Sequence, residues 1–130
     1  MKRAGMNELI RLMRKLRAPG GCPWDREQTH ATLLKYLREE TREVSRAVRG
    51  EDWDNLKDEL GDVLLQVLFH ADIAREAGRF DIHDVFTALK SKLVRRHPHV
   101  FGRGRNKKLS ADEVVRRWNI IKAGEKRRKK

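Results

Sequence analysis

Four acidic side chains form two i, i+3 pairs on two neighbouring predicted helices. Within an apolar stripe that covers segment 33–47, Glu40 takes a position where a leucine is expected, and Glu43 follows one turn later on the same face. The next predicted helix repeats this spacing with Glu59 and Asp62. Carboxylates crowded in this way are candidate ligands for a metal ion.

Salt bridges along the same helix do not explain most of these acids. Glu40, Glu59 and Asp62 have no Lys or Arg three or four residues away. Only Glu43 has such a base, Arg46. The two helices are joined by a short loop and should pack antiparallel, so that facing residues have a constant sum of residue numbers. The sum is the same for Glu40 with Asp62 as for Glu43 with Glu59. We therefore expect all four carboxylates to meet at one level of the helix pair.

Four carboxylates in one place repel each other strongly. Unit charges about 5 Å apart repel by roughly 3 kcal/mol per pair at an effective dielectric constant near 20, so the group needs a counter-charge. A divalent cation supplies it. A site of carboxylates without thiol or imidazole predicts Mg²⁺, with Mn²⁺ as the alternative ion. In the competing interpretation, the acids pair with bases from other helices and bind no metal.

A stretch rich in bases offers a partner for phosphate groups. Segment 90–108 contains eight Lys or Arg and no acid. Within it, Lys92 and Arg96 lie one turn apart on one face of a predicted helix, where they can hold phosphates that the metal does not neutralise. Together with Mg²⁺ this arrangement indicates phosphoryl chemistry, whereas a solvated basic helix face is the alternative.

Aromatic side chains offer surfaces on which a nucleotide base can stack. For Trp118, on the last predicted helix, base stacking and core packing are both open. Tyr36 is a second candidate. Trp24 and Trp53 stand at loop or helix-entry positions, where packing is the preferred interpretation.

Helical periodicity predicts the elements that position these side chains. Apolar residues recur with a period near 3.6 and strand alternation is not convincing anywhere, so the predicted fold class is all-α. Capping residues, glycines and Pro98 set the ends of the predicted helices, which are 7–17, 29–49, 54–77, 82–97 and 111–122. Two segments are predicted to be loops: 22–28, CPWDREQ, and 102–108.

Length and composition limit the possible classes of protein. The 130 residues fit one domain, 1–122, followed by a basic tail, 123–130, that we expect to be disordered. The net charge of +12 is carried by segment 90–108 and this tail.

No apolar run approaches the roughly 18 residues of a membrane span, so we expect a cytoplasmic protein without a membrane partner. A single cysteine, Cys22, excludes an internal disulfide.

Five motifs follow one another along most of the chain: CPWDREQTH, YLREETREV, DELGDVLLQVLFHA, KLVRRHPHVFG and VVRRWNIIK. In this order and spacing they resemble the MazG family of nucleoside triphosphate pyrophosphohydrolases. The resemblance implies an antiparallel all-α helical bundle, completed by assembly into a homodimer or a higher homo-oligomer. It also implies Mg²⁺-dependent hydrolysis of a nucleoside triphosphate to a monophosphate and pyrophosphate, with clearance of non-canonical or excess nucleotides as an expected role.

The resemblance also implies roles for individual residues. The implied Mg²⁺ ligands are Glu40, Glu43, Glu59 and Asp62. The implied substrate contacts are Tyr36, Leu37, Arg38, Glu39, Asn55, Lys92, Arg96 and Trp118. Glu39 is the catalytic candidate for orienting or deprotonating the attacking water, and the alternative is an exposed acid paired with Arg42. The chain departs from the family pattern in having one such domain and in having Arg46 at an often acidic position, which is expected to alter the rim of the site.

Two other classes of function stay open on the sequence. A basic helical module that binds nucleic acid fits the charge, and it predicts affinity that falls steeply with salt and needs no Mg²⁺. A helical scaffold with inert acids predicts no metal binding at all. Neither explains why the two cross-helix acid pairs share one sum of residue numbers. We therefore prefer the hydrolase, for which nucleic acid is not a required partner.

Overall fold

The computed structural model of the chain describes residues 3–102 and 108–129. These residues form helices and no strand, which confirms the predicted all-α class. The helices are α1 (Met6–Arg17), α2 (Pro23–Glu27), α3 (His30–Arg49), α4 (Trp53–Glu76), α5 (Ile82–Arg96), α6 (Pro98–Phe101) and α7 (Ala111–Lys129). Within the described ranges, no helix combines the length and the apolar character that crossing a membrane requires.

Local interactions fix the ends of the two longest helices. At the start of α3, the Thr29 hydroxyl accepts a hydrogen bond from the Thr32 N–H, and the Thr32 hydroxyl accepts one from the Thr29 N–H. The Asp52 carboxylate caps α4 by accepting a hydrogen bond from the Asn55 N–H at 3.2 Å. Gly78 follows α4 with a φ of +70°, the left-handed conformation that commonly ends a helix.

The first compact unit of the chain ends at Ile82 and contains helices α1 to α4. Helices α3 and α4 run antiparallel on either side of the turn at 50–52, and α1 packs against both α4 and α2. The buried apolar residues are Ile10, Met13, Leu33, Ala47, Leu68, Phe69, Ala71, Ala74 and Ile82. This small core holds the helix pair that carries the predicted acids.

Burial along α4 is uneven. All buried residues of α4 lie between Gln66 and Ala74, where α1 approaches the helix. By contrast, Leu60 is 52% exposed and Val67 is 39% exposed. The apolar residues Leu60 and Val67 of α4 therefore lie outside the buried core.

A short helix interrupts the segment CPWDREQ. Helix α2 begins with a proline at a first-turn position, which its fixed φ suits. The side chain of Arg17 is only 7% exposed, and it donates hydrogen bonds to the carbonyl oxygens of Asp25 and Gln28 while pairing with Glu76 at 2.6 Å. The loop prediction is wrong for Pro23–Glu27. The contacts that hold this turn come from α1 and α4, so local sequence signals did not reveal them.

The second compact unit, from His83 onwards, contains most of α5 together with α6 and α7. Helix α6 was not predicted, and α7 runs to Lys129 instead of ending at Lys122. Most of the expected disordered tail is therefore helical, because Glu125 accepts hydrogen bonds from two arginines of α5 and because Lys and Arg are good helix formers. Of the predicted loop 102–108, residues 103–107 lie outside the described residues. The single domain, 1–122, stays a prediction.

We expect Phe69→Ala to lower the free energy of unfolding by about 3 to 5 kcal/mol, because truncating a fully buried ring loses apolar contacts and leaves a cavity. Phe69 is 2% exposed, whereas Phe80, in the same unit, is 44% exposed. Phe80→Ala is therefore the matched control and should cost clearly less. Urea denaturation followed by circular dichroism measures both values. Equal losses in the two variants would contradict the assignment of Phe69 to the core.

Candidate functional site

Three carboxylates meet where α3 and α4 face each other. Glu40 belongs to α3, and Glu59 and Asp62 belong to α4. One carboxylate oxygen of each residue lies within 4.8 Å of the other two. Among residues 3–102 and 108–129, this is the one group of three or more Asp, Glu, His or Cys side chains with such spacing. The structure thus brings together three of the four acids predicted to meet.

The electrostatics of this group are unfavourable without a counter-charge. The pKa of Glu40 is raised from 4.5 to about 7, first by desolvation of its carboxyl group and then by a hydrogen bond with Glu59. The negative charges of Asp62, Glu59 and Glu39 raise the pKa of Glu40 as well. Close to neutral pH, the group therefore holds a proton that a bound cation can replace.

The fourth predicted acid, Glu43, lies outside the group of three. Its Oε1 accepts a hydrogen bond from Nη1 of Arg46 at 2.9 Å. The prediction that all four carboxylates meet is therefore wrong for Glu43, because a base one turn along its own helix competes for the carboxylate. The Arg46 side chain is 71% exposed, so this pair contributes little to stability and is easily exchanged. A metal-ligand role for Glu43 stays a prediction.

The donor set of the cluster fits a hard divalent cation. All three side chains supply carboxylate oxygens, and no thiol or imidazole belongs to the group. Mg²⁺ and Mn²⁺ prefer such oxygen ligands, whereas zinc sites in proteins favour Cys and His. Mg²⁺ also keeps coordination positions for water and phosphate, so a few carboxylates suffice. The chemistry of these residues is therefore suited to Mg²⁺.

An aromatic pair lies one helical turn before Glu40. The ring of Tyr36 meets the ring of Trp24 edge to face, with centroids 5.8 Å apart. Lys35 places its Nζ 5.0 Å from the centroid of the Tyr36 ring. Trp24 also contacts Phe69, yet it is 49% exposed. Sequence reasoning assigned Trp24 to packing, but the structure leaves half of its surface open next to a predicted substrate residue.

The other predicted contacts of this unit are spread over two helices. Leu37 is half-buried on α3, while Arg38 and Glu39 on the same helix are exposed. Glu39 forms no ion pair with Arg42, both of which lie in the described part of the chain. Asn55 lies half-buried in the first turn of α4. Contacts of these residues with a substrate stay predictions.

The predicted phosphate-binding residues line a basic cleft in the second unit. This cleft has a volume of about 400 Å³. Its lining residues are Lys92, Arg95, Arg96, Lys122, Glu125, Lys126 and Arg128. Lys92 and Arg96 both line this cleft, and sequence reasoning missed the acid among the bases. Phosphate binding by Lys92 and Arg96 stays a prediction. No local signal pointed to Glu125, because its partners lie on another helix.

Trp118 packs beside this cleft. The guanidinium carbon of Arg96 lies 5.2 Å from the centroid of the Trp118 ring, and the ring of His97 meets the same tryptophan edge to face at 5.0 Å. Trp118 therefore supports the position of a predicted phosphate ligand through a cation–π contact. Base stacking by Trp118 stays a prediction.

An all-α chain with carboxylates on facing helices falls in the class of helical-bundle proteins whose sites are built from inward-facing side chains. Comparison with known proteins narrows this class. A family model described as the MazG nucleotide pyrophosphohydrolase domain matches residues 28–101. The match covers more than half of the chain and includes all three clustered acids. The chain therefore belongs to the MazG nucleotide pyrophosphohydrolase family.

Individual relatives agree with this assignment. The Thermotoga maritima protein named nucleoside triphosphate pyrophosphohydrolase/pyrophosphatase MazG is 52% identical over 132 residues, which cover 100% of this chain and 49% of that protein. The nucleoside triphosphate pyrophosphohydrolase of Escherichia coli is 49% identical over 125 residues, which cover 95% of this chain and 47% of the relative. The chain therefore spans about half the length of the curated relatives it matches.

A solved structure has the same fold. The crystal structure of a MazG-related protein from Thermotoga maritima matches with a TM-score of 0.72 at 30% sequence identity. The match covers 92% of this chain and 99% of that one. The helical arrangement described above is therefore one that a crystal structure also contains.

We expect millimolar Mg²⁺ or Mn²⁺ to raise the thermal midpoint of unfolding, because an ion that binds the folded state relieves the repulsion in the cluster. Differential scanning fluorimetry in Mg²⁺ and in excess chelator measures the shift. Asp62→Asn should lose most of the shift. Asp58→Asn, which removes an exposed carboxylate outside the cluster on the same helix, should keep it. Identical midpoints of the unaltered protein in Mg²⁺ and in chelator would count against the site.

Proposed function

We propose that the chain is a Mg²⁺-dependent nucleoside triphosphate pyrophosphohydrolase, which releases a nucleoside monophosphate and pyrophosphate. The observation that carries this proposal is the group formed by Glu40, Glu59 and Asp62, with carboxylate oxygens within 4.8 Å of one another. Membership of the MazG family and the names of its relatives support the reaction class. Because the chain spans only half of those relatives, its own activity requires a direct test.

The metal ligands in this proposal are the three clustered acids together with Glu43. When bound, Mg²⁺ lowers the pKa of a coordinated water and neutralises charge on phosphate oxygens. Glu43 would be available to the cation only after its Oε1 leaves Arg46, and the exposure of that pair makes the exchange inexpensive. A cation held by these carboxylates would offset the neighbouring negative charges, which add to desolvation in raising the pKa of Glu40.

Glu39 is the proposed base in the reaction. Its carboxylate is exposed and has no ion pair with Arg42, so an oxygen is available to orient a water molecule and to accept its proton. Its charge contributes to the raised pKa of Glu40, the next residue of α3. A general base must be free to accept a proton, and an acid without an ion pair is better suited to this than an acid engaged with an arginine.

The remaining predicted contacts are proposed to bind and orient the nucleotide. Lys92 and Arg96 would neutralise the outer phosphates through charge-assisted hydrogen bonds. Trp118 and Tyr36 would provide aromatic surface for the base. The adjoining substrate contacts would be Leu37, Arg38 and Asn55. Water attacks the α phosphorus in this proposal, and pyrophosphate leaves as a single unit.

We also propose that two copies of the chain associate through the exposed apolar stripe of α4. Leu60 and Val67 lie two turns apart on one face and are 52% and 39% exposed. A soluble domain normally buries an apolar stripe of this kind, and a second copy can cover it with the same stripe by two-fold symmetry. A homodimer, or a higher homo-oligomer, would therefore complete the core around the carboxylate cluster.

One observation favours a second candidate function, a module that binds nucleic acid. The cleft of the second unit is lined by six bases and one acid, and basic surfaces of this kind attract polynucleotides. Such binding would fall steeply with salt and would be independent of Mg²⁺. Tight polynucleotide binding that is unaffected by chelator, in a protein without nucleotide hydrolysis, would favour this function over the hydrolase.

We expect Glu40→Gln and Asp62→Asn to abolish hydrolysis while the protein stays folded, because each removes a charged ligand of the cation. The assay incubates each variant with Mg²⁺ and a panel of canonical and damaged nucleoside triphosphates, and identifies the products by chromatography. Asp58→Asn is the matched control and should retain activity. Without Mg²⁺, Glu40→Gln should unfold at a higher temperature than the unaltered protein, because the repulsion in the cluster is reduced. Full activity of both site variants would remove the cluster from the mechanism.

The bond that is broken distinguishes this proposal from an ordinary triphosphatase. A single turnover in ¹⁸O-labelled water should leave the label in the nucleoside monophosphate and none in the pyrophosphate, because the water attacks the α phosphorus. Mass spectrometry of the separated products measures the label. Label in free orthophosphate, with a nucleoside diphosphate as the second product, would establish attack at the γ position and contradict the proposed mechanism.

A further inference from the structure

One acid sits among the bases of the cleft in the second unit. Oε2 of Glu125, on α7, accepts a hydrogen bond from Nε of Arg95 at 2.7 Å, and its Oε1 accepts one from Nη2 of Arg96 at 2.9 Å. The Glu125 side chain is 13% exposed, whereas the Arg95 side chain is 42% exposed and reaches solvent. Both oxygens of the carboxylate are therefore occupied by arginines that line the cleft.

Glu125 is ionised under all physiological conditions. Hydrogen bonds from Arg95 and then from Arg96 lower its pKa to about 2. The other side chains that line the cleft, apart from these two arginines, are Lys92, Lys122, Lys126 and Arg128. A negative charge held among so many bases occupies the kind of position that a phosphate group would take.

Carboxylate and phosphate oxygens compete for the same donors. Arginine binds both through charge-assisted hydrogen bonds of similar geometry, so a guanidinium that is engaged with one is less available to the other. Arg96 uses both Nε and Nη2 toward Glu125, at 3.5 Å and 2.9 Å, and its side chain is only 17% exposed. The two nitrogen atoms of Arg96 that could bind a phosphate side by side are thus already bonded to Glu125.

We propose that Glu125 is an internal competitor for the phosphate-binding cleft, which holds Arg96 in the ligand-free protein and is displaced when the phosphates of a nucleotide bind. The inference rests on the proposed function, since that is what makes Arg96 a phosphate contact. It explains why a cleft lined by six bases also contains one acid. It also assigns to Glu125 control over affinity for the substrate and for the pyrophosphate product, both of which carry the competing charge.

The test measures binding of inorganic tripolyphosphate to the full chain by isothermal titration calorimetry, in excess chelator so that no metal takes part. Glu125→Gln should bind about five to ten times more tightly than the unaltered protein, because it removes a charge next to the polyanion and frees two arginines. Glu125→Asp, which keeps the charge, should not reproduce this gain. The matched control is Asp112→Asn, which removes one charge from the first turn of the same helix and should leave the affinity unchanged.

A second comparison separates competition for Arg96 from a general effect of charge. In an Arg96→Gln background, the gain from Glu125→Gln should shrink, because the donor for which the two anions compete is absent. Circular dichroism checks that α7 persists in each variant. An equal gain in both backgrounds would overturn the proposal. So would unchanged or weaker binding by Glu125→Gln, or the absence of tripolyphosphate binding in every variant.

The outcome is independent of whether the chain hydrolyses nucleotides. The binding assay uses neither metal nor a cleavable nucleotide, so tighter binding by Glu125→Gln can be observed in a protein that lacks activity. Conversely, an active hydrolase whose Glu125→Gln variant binds no more tightly contradicts only this inference. The product and isotope assays with Mg²⁺ test the proposed function separately.

Discussion

Repulsion among the carboxylates of Glu40, Glu59 and Asp62 is the constraint on which the first unit depends. An antiparallel helix pair must hold these oxygens within 4.8 Å of one another despite the repulsion between their negative charges. Contacts on both sides of the cluster fix the register of the pair. At one end, Nδ1 of His30 and Nδ1 of His70 lie 2.8 Å apart, and at the other, the capped turn at 50–52 joins the helices.

The histidine contact is itself sensitive to charge. A hydrogen bond between two Nδ1 atoms needs one donor and one acceptor, so the ring that accepts cannot be protonated at that atom. Burial, and the neighbouring His30, lower the pKa of His70, which keeps it neutral. A contact between two histidines at one end and an unfavourable acidic cluster in the middle thus share one helix interface, so the apolar contacts must supply most of its stability.

An acid within an apolar seam lowers the stability of the fold. Buried residues two turns to either side of Glu40 stabilise the α3 stripe, since Leu33 and Ala47 are 0% and 2% exposed. In the second unit the same electrostatic problem has the opposite sign. There, bases are crowded around a cleft, and Glu125 relieves part of their repulsion while limiting what else Arg95 and Arg96 can bind. Each site therefore has unbalanced charge, which a phosphate, a metal ion or an internal partner can neutralise.

Sequence alone determined the features that depend on spacing along one helix. Apolar periodicity and helix-ending glycines such as Gly50 and Gly78 indicated the all-α class and most helix ends, because these signals act within a few residues. The meeting of Glu40 with Glu59 and Asp62 across the two helices also followed, since an antiparallel pair fixes which residues face each other. Tertiary structure decided which side chains bind each other when several partners compete. Arg17 holds α2 in place, and Glu125 joins two arginines of another helix. These outcomes depend on side-chain reach and on charges brought together by folding, which residue spacing does not encode.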